Sequence, residues 1–173
     1  MDVGTPQRGF QRYVIAEVCF HGFRDLPAER GECTESPEFI CLGHRWRLAI
    51  YPGGEEDPDD GEVAVYLRNR SDESIKINNF LSVKDSEGKE VGNDKPGDCN
   101  FTPGNFNPNG TVDGNDSWGR SDFAKRSKLV KALVNGTLTI EVRMRKYEQT
   151  NTPDAFIPEN PLCNNILLRV PTL

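Results

Sequence analysis

The chain has 173 residues, with 21 Lys and Arg against 27 Asp and Glu and a formal charge of −6. That length fits one domain of ordinary size with a real core, and a hydrophobic content of 35 % excludes a wholly disordered chain. No apolar run approaches the roughly 18 residues of a membrane span, and the negative balance opposes binding to duplex nucleic acid, which depends on neutralising phosphates.

Residues 1–9 read as a flexible N-terminus without the basic start and apolar stretch of a secretory leader. Phe10–Phe20 and Glu38–Leu42 are strand-like, and Arg45–Tyr51 alternates Trp46, Leu48 and Ile50 against Arg47, Ala49 and Tyr51. Pro52-Gly53 ends that strand, because proline cannot donate to a ladder. The acidic loop Gly53–Gly61 follows, then Glu62–Arg68, whose Val63, Val65 and Leu67 share a parity. Ile75, Ile77, Leu81 and Val83 repeat it, with Asn79 the polar exception, and Asp85–Gly88 reads as a turn. Gly92–Asn115, rich in Asn, Gly, Pro and Asp, reads as a long surface loop holding a strand around Cys99–Phe106. A basic cluster, Lys125, Arg126, Lys128 and Lys131, comes after Phe123. Asn135-Gly136 is a turn before Thr137–Tyr147, where Leu138, Ile140, Val142 and Met144 alternate with Thr139, Glu141, Arg143 and Arg145. Residues 149–173 form a proline-bearing tail or linker. Many short strands between turns predict an all-β fold, an antiparallel sandwich or barrel.

Five widely spaced cysteines (Cys19, Cys33, Cys41, Cys99 and Cys163) do not read as a disulfide framework. Free thiols in the cytosol or nucleus are the expectation. Asn-x-Ser/Thr sequons at Asn69, Asn100, Asn109, Asn115 and Asn135 exceed the chance expectation of about 1.4. They fit a secreted or lumenal glycoprotein with an adhesion or glycan-binding role, or the Asn-rich turns of a loop-rich β protein. No nucleophile elbow, phosphate-cradling glycine loop or H-E-x-x-H occurs, so neither an enzyme nor a cofactor is expected. Glu55, Glu56, Asp57, Asp59, Asp60 and Glu62 lack the spaced ligands of a calcium loop, and a solvated hairpin is the expected reading. The Cys41/His44 pair is half a zinc site without its second half, and a buried thiol beside a strand-edge imidazole is expected instead. The basic cluster is read as a solvated face, with an acidic-partner patch as the alternative.

The order of features resembles a MATH domain, a TRAF-like antiparallel β-sandwich of about eight strands, over about residues 10–148. The residues that carry the likeness are Phe20-His21-Gly22-Phe23, Ser36-Pro37-Glu38-Phe39, the block Gly43-His44-Arg45-Trp46 through Tyr51-Pro52-Gly53-Gly54, Val63–Leu67, Trp118-Gly119 with Phe123, and Gly136–Ile140. The resemblance implies a recognition module, as in the speckle-type POZ adaptors. There a shallow aromatic groove binds a short, extended, Ser/Thr-rich segment of a partner, and a BTB domain further along binds a cullin ubiquitin-ligase scaffold. Residues 156–167 are similar to the linker before that BTB domain, so a BTB domain in the parent chain is part of the expectation.

Position by position, the resemblance places the peptide-binding surface on Trp118, Gly119, Arg120, Ser117, Glu62, Asn79 and Phe80. Trp118 is groove floor or core residue. Gly119 would let a partner's backbone approach. Arg120, Glu62 and Asn79 stand where the family has aromatics, with Phe80 reaching the Asn79 position only after a one-residue slip that flips its face. Phe101 and Phe106 compete for a third aromatic position. Arg120 beside Trp118 suits an acidic or phosphorylated peptide. A purely structural role, with the tail and a sheet edge serving oligomerisation, is the remaining alternative.

Overall fold

The computed structural model describes residues 12–55, 61–103, 105–106, 112–114 and 116–146. The predicted N-terminal arm (1–9), the tail (149–173) with its linker-like segment, and the acidic residues Glu56, Asp57, Asp59 and Asp60 lie outside the described residues.

Twelve strands occur in chain order: β1 (Val14–Phe20), β2 (Thr34–Glu35), β3 (Phe39–Cys41), β4 (His44–Tyr51), β5 (Glu62–Asn69), β6 (Ile75–Lys84), β7 (Glu90–Asn93), β8 (Gly97–Phe101), β9 (Asn105–Phe106), β10 (Val112–Asp113), β11 (Ser117–Lys125) and β12 (Leu138–Lys146). A six-residue helix α1 (Arg126–Lys131) follows β11. One sheet runs β1-β12-β6, with β7 and β8 end to end along the far edge of β6. The other runs β11-β5-β4, with β2 and β3 end to end along the far edge of β4. All pairings are antiparallel. With each broken edge strand counted once, the sheets are four strands wide and make an eight-strand sandwich, as the sequence leads one to expect. The small pair β9-β10 stands apart.

The breaks fall at prolines. Between β2 and β3 lies Ser36-Pro37, where the Ser36 N–H donates to the Leu48 carbonyl at 2.8 Å and the Leu48 N–H to Ser36 Oγ at 3.0 Å. Between β7 and β8 lies Asp94-Lys95-Pro96. A proline supplies no ladder donor, so each strand stops and restarts. β2, only two residues long, has a second hold: Glu35 accepts from Arg47 at 3.0 Å on β4 and from Arg68 at 2.6 Å on β5.

The core is the set of inward parities read from the sequence. Leu48, Ile50, Val63, Val65, Leu67, Ile77, Leu81, Leu138, Ile140, Val142 and Met144 are all buried. Trp46 at its centre is 0 % exposed. Its indole donates to the Cys41 carbonyl at 2.9 Å, and Phe101 meets it edge-on at 5.0 Å. Phe101 is therefore core, while the side chain of Phe106 is outside the described set. Asn135 (φ 50) and Gly136 (φ 77) form the left-handed turn that delivers β12.

Two expectations need correction, and one strand has no counterpart in the sequence reading. Gly92–Asn115 is not mainly loop, because the end of β7 and all of β8 belong to the sandwich and bury Cys99 and Phe101. Ser117–Lys125 is a strand although its sequence does not alternate: it pairs on one side only, and its register with β5 shifts between Arg120 and Ala124. The basic cluster divides. Arg126 donates to the carbonyls of Pro52 (3.0 Å) and Arg24 (3.1 Å) and lies over the Phe23 ring, while Lys125, Lys128 and Lys131 are exposed. No described helix is long and apolar enough to cross a membrane.

Trp46→Ala should lower the unfolding free energy by about 3–5 kcal/mol, measured by urea denaturation, since it removes the largest buried side chain and its hydrogen bond.

Candidate functional site

The two sheets leave a furrow where the edge strand β11 of one faces the broken edge β7–β8 of the other. On β11, Trp118 is opposite Leu67 and Arg120 opposite Val65, so both share the inner face of those core residues. Among the described residues no strand lies beyond them in their sheet, and Trp118 keeps 36 % of its surface exposed. Its Nε1–H donates to the Asn100 carbonyl of β8 at 3.3 Å, tying the two walls together. Trp118 is therefore not sealed in the core.

Arg120 forks onto Asp122: Nε–H to Oδ1 at 2.9 Å and a terminal N–H to Oδ2 at 2.7 Å. That hydrogen-bonded pair pushes the arginine pKa up and the Asp122 pKa down. Across the furrow Asp94, half-buried, accepts from the Lys95 N–H at 2.7 Å. Burial raises its pKa, the Lys95 amide and Arg120 pull it back, and Asp122 adds to the rise. Deeper, Cys99 is pushed up to about 11 by burial and by Asp94 and Asp98.

Further along, an open depression of about 270 Å³ is lined by Glu62, Glu90, Gly92, Asp122, Phe123 and Lys125 among others. Gly92 is required there, because a Cβ on it would stand 2.9 Å from both Phe123 and Ala124. Glu62 lines this depression with Asp122, and its charge reaches Arg120, while Trp118 is not among the lining residues.

Asn79 lies beneath, on the inner face of β6 and 1 % exposed. The Cys99 thiol donates to its Oδ1 at 3.1 Å, and its Nδ2 has no hydrogen-bond partner among the described residues. This accounts for the polar exception in the β6 pattern. Phe80 is not brought to the furrow. The register pairs Asn79 with Met144, whose side chain is buried in the core, so Phe80 faces outward, under the Arg143 guanidinium at 5.7 Å. Ser117 and Gly119 pair with Arg68 and Tyr66 on the outer parity. The backbone that crowds Gly119 is the chain's own: a Cβ there would come within 1.9 Å of the Val65 carbonyl oxygen. This glycine lets β11 close onto β5, a physical reason different from the expected approach of a partner.

Sequence reasoning missed Asp94, Asp122, Phe123 and Asn100. The Arg120-x-Asp122 spacing on a strand was the available signal for one of them. Asp94 and Asn100 come from the opposite sheet, and nothing local announces them. Cys41 and His44 pair across the β3–β4 hairpin, both buried. Among the described residues no group of three or more His, Cys, Asp or Glu is placed to hold a metal ion.

Comparison with known proteins adds a family. The sequence model described as "MATH domain" matches residues 20–144. No curated protein sequence matches the chain. Among solved structures, TRAF5 of Notothenia coriiceps is similar, with 16 % identity and a TM-score of 0.48 over 78 % of this chain and 73 % of that one.

Two measurements probe the geometry. Gly119→Ala should cost about 1–3 kcal/mol or more in urea unfolding, because a carbonyl of β5 occupies the space. Asp94→Asn should raise the urea midpoint at pH 7. Folding raises the pKa of this carboxyl, so its favourable contribution exists only while it is protonated and is lost as pH rises through the folded value. The advantage of Asn should vanish below about pH 3, where the acid is protonated in both states.

Proposed function

The chain belongs to the MATH-domain family, and from that premise we propose that it captures a short, extended segment of another protein along the open edge of β11. Domains of this family are protein–protein interaction modules, so partner binding is the general function. The finer reading is recruitment of a partner for a cullin-type ubiquitin ligase, through a Ser/Thr-bearing segment and a BTB domain in the parent chain, in the cytosol or nucleus.

One observation carries the peptide reading. A large aromatic, Trp118, is left 36 % exposed on the inner face of β11, beside which no further strand of the same sheet lies among the described residues. An exposed aromatic at the margin of a sheet gives an extended guest an anchor. No catalytic role is assigned to the furrow. The acidic ligand suggested by Arg120 meets a guanidinium already held by Asp122.

The glycoprotein alternative is weaker. Asn69 is 3 % exposed; its amide donates to the Glu73 carbonyl at 2.9 Å and its oxygen accepts the Ser71 N–H at 3.0 Å. That is an Asx-turn, and the folded site has no room for a glycan. Asn135 occupies a tight turn, so part of the sequon excess is turn chemistry. Among the described residues Cys19, Cys33, Cys41 and Cys99 are free thiols.

Panning the full chain against a phage library of random peptides about ten residues long should enrich a common motif. Trp118→Ala, shown folded by circular dichroism, should weaken the selected peptides by about 30-fold, or 2 kcal/mol. Equal affinity for the folded variant, or no enriched motif, would overturn the reading.

A further inference from the structure

We propose that the furrow selects its guest by a basic side chain, Lys or Arg, received by the Asp94 carboxylate at the level of Arg120. The inference rests on the peptide-binding reading and gives it a ligand chemistry.

Arg120 is the cation that β11 sets beside Trp118 on the furrow's face, and it is spent. Both oxygens of Asp122 are engaged by its fork, at 2.9 and 2.7 Å. Such a bidentate, charge-assisted pair is among the stronger polar contacts. An incoming carboxylate or phosphate would have to break it and would then lie against the released Asp122. Asp94 is in the opposite condition. It is half-buried and takes the Lys95 backbone N–H, and among the described residues it forms no ion pair with a Lys, Arg or His side chain. Asp98, nearby on β8, receives only the neutral Asn78 amide at 2.8 Å. Glu62 adds a further carboxylate to the field at Arg120.

The position has the form of a half-made ion pair. A half-buried carboxylate that shares the field of Arg120 with Asp122 is only partly compensated, and the raised direction of its pKa agrees with that. A fold that only needed to be stable would have an amide or an apolar residue here. Retaining a destabilising group in a groove is the usual signature of a group reserved for a ligand. A guest cation would supply the missing charge, while the exposed Trp118 face, two residues along the same strand, accepts the neighbouring part of the guest. No third ligand for a metal converges among the described residues, so a side-chain ammonium or guanidinium is the cation of choice.

The test uses peptide pools about ten residues long, each with one position fixed as Lys, Arg, Leu, Asp, Glu or phosphoserine and the rest random. Binding is read by fluorescence anisotropy with the full chain and with Asp94→Asn, Asp94→Lys and Trp118→Ala. At one position the unmodified chain should bind the Lys and Arg pools about tenfold tighter than the Leu pool, with the difference shrinking as salt rises. Asp94→Asn, folded by near-ultraviolet dichroism, should flatten that preference, and Asp94→Lys should turn it toward Asp and Glu. A preference for acidic or phosphoserine pools, or none for charge, with binding still lost in Trp118→Ala, would overturn the basic-guest inference and leave the peptide groove standing. A basic preference that survives Asp94→Asn overturns the assignment to Asp94. Absence of any Trp118-dependent binding would overturn groove and inference together.

Discussion

A pleated sheet that buries one face still leaves two edges with unpaired N–H and C=O groups. Two sheets closing around Trp46 and Phe101 therefore leave four edges to manage, and the character of this molecule lies in how differently they are treated. The β2–β3 edge is cut by Pro37 and pinned by Glu35. The β7–β8 edge is cut by Pro96. Each of these edges is interrupted where its proline stands. β11 is bulged only in its second half, after Arg120, and its first half, around Trp118, keeps a regular register with β5. Interruption by proline on one wall and a continuous strand on the other thus sets where the furrow lies.

The furrow is narrow because of two absent side chains. Gly119 lets β11 close onto the Val65 carbonyl, and Gly92 lets β7 approach Phe123 and Ala124. One glycine acts within a sheet and the other between sheets. Together they bring Arg120 near enough to Asp94 for their charges to interact. Neither glycine needs an unusual backbone angle; what matters at both is the space a methyl group would take. A W-G pair in such a sequence therefore records packing of the host before it records contact with a guest.

What the sequence disclosed follows from how much of each strand is buried. β4, β5, β6 and β12 are interior strands with one face in the core, and their alternation is plain in Trp46–Ile50, Val63–Leu67, Ile75–Val83 and Leu138–Met144. β11 is an edge strand whose two parities are both partly wet over Ser117–Asp122, so no period-two signal exists to be read. The same reasoning covers the site. Trp118, Arg120 and Glu62 can be named together from the sequence because they stand on or beside one strand. Phe80 was included because a single residue of register is invisible without the partner strand. Asp94 and Asn100 belong to the other sheet, where only the closed sandwich brings them opposite. Asn79, a polar interruption in an apolar parity, was the one visible hint that the inner face of β6 meets something other than hydrocarbon.

The hydrogen bond from the Trp118 indole to the Asn100 carbonyl has a consequence for discrimination. The ring's only polar group is committed within the host, and the aromatic plane is held in one orientation by that bond. Little torsional freedom is left to be surrendered when that plane is covered, and it offers no donor by which to read a sequence. Trp118 would thus supply adhesion without literacy, and any choice among visitors would have to come from the charged groups two and four residues further along and from the wall across the furrow.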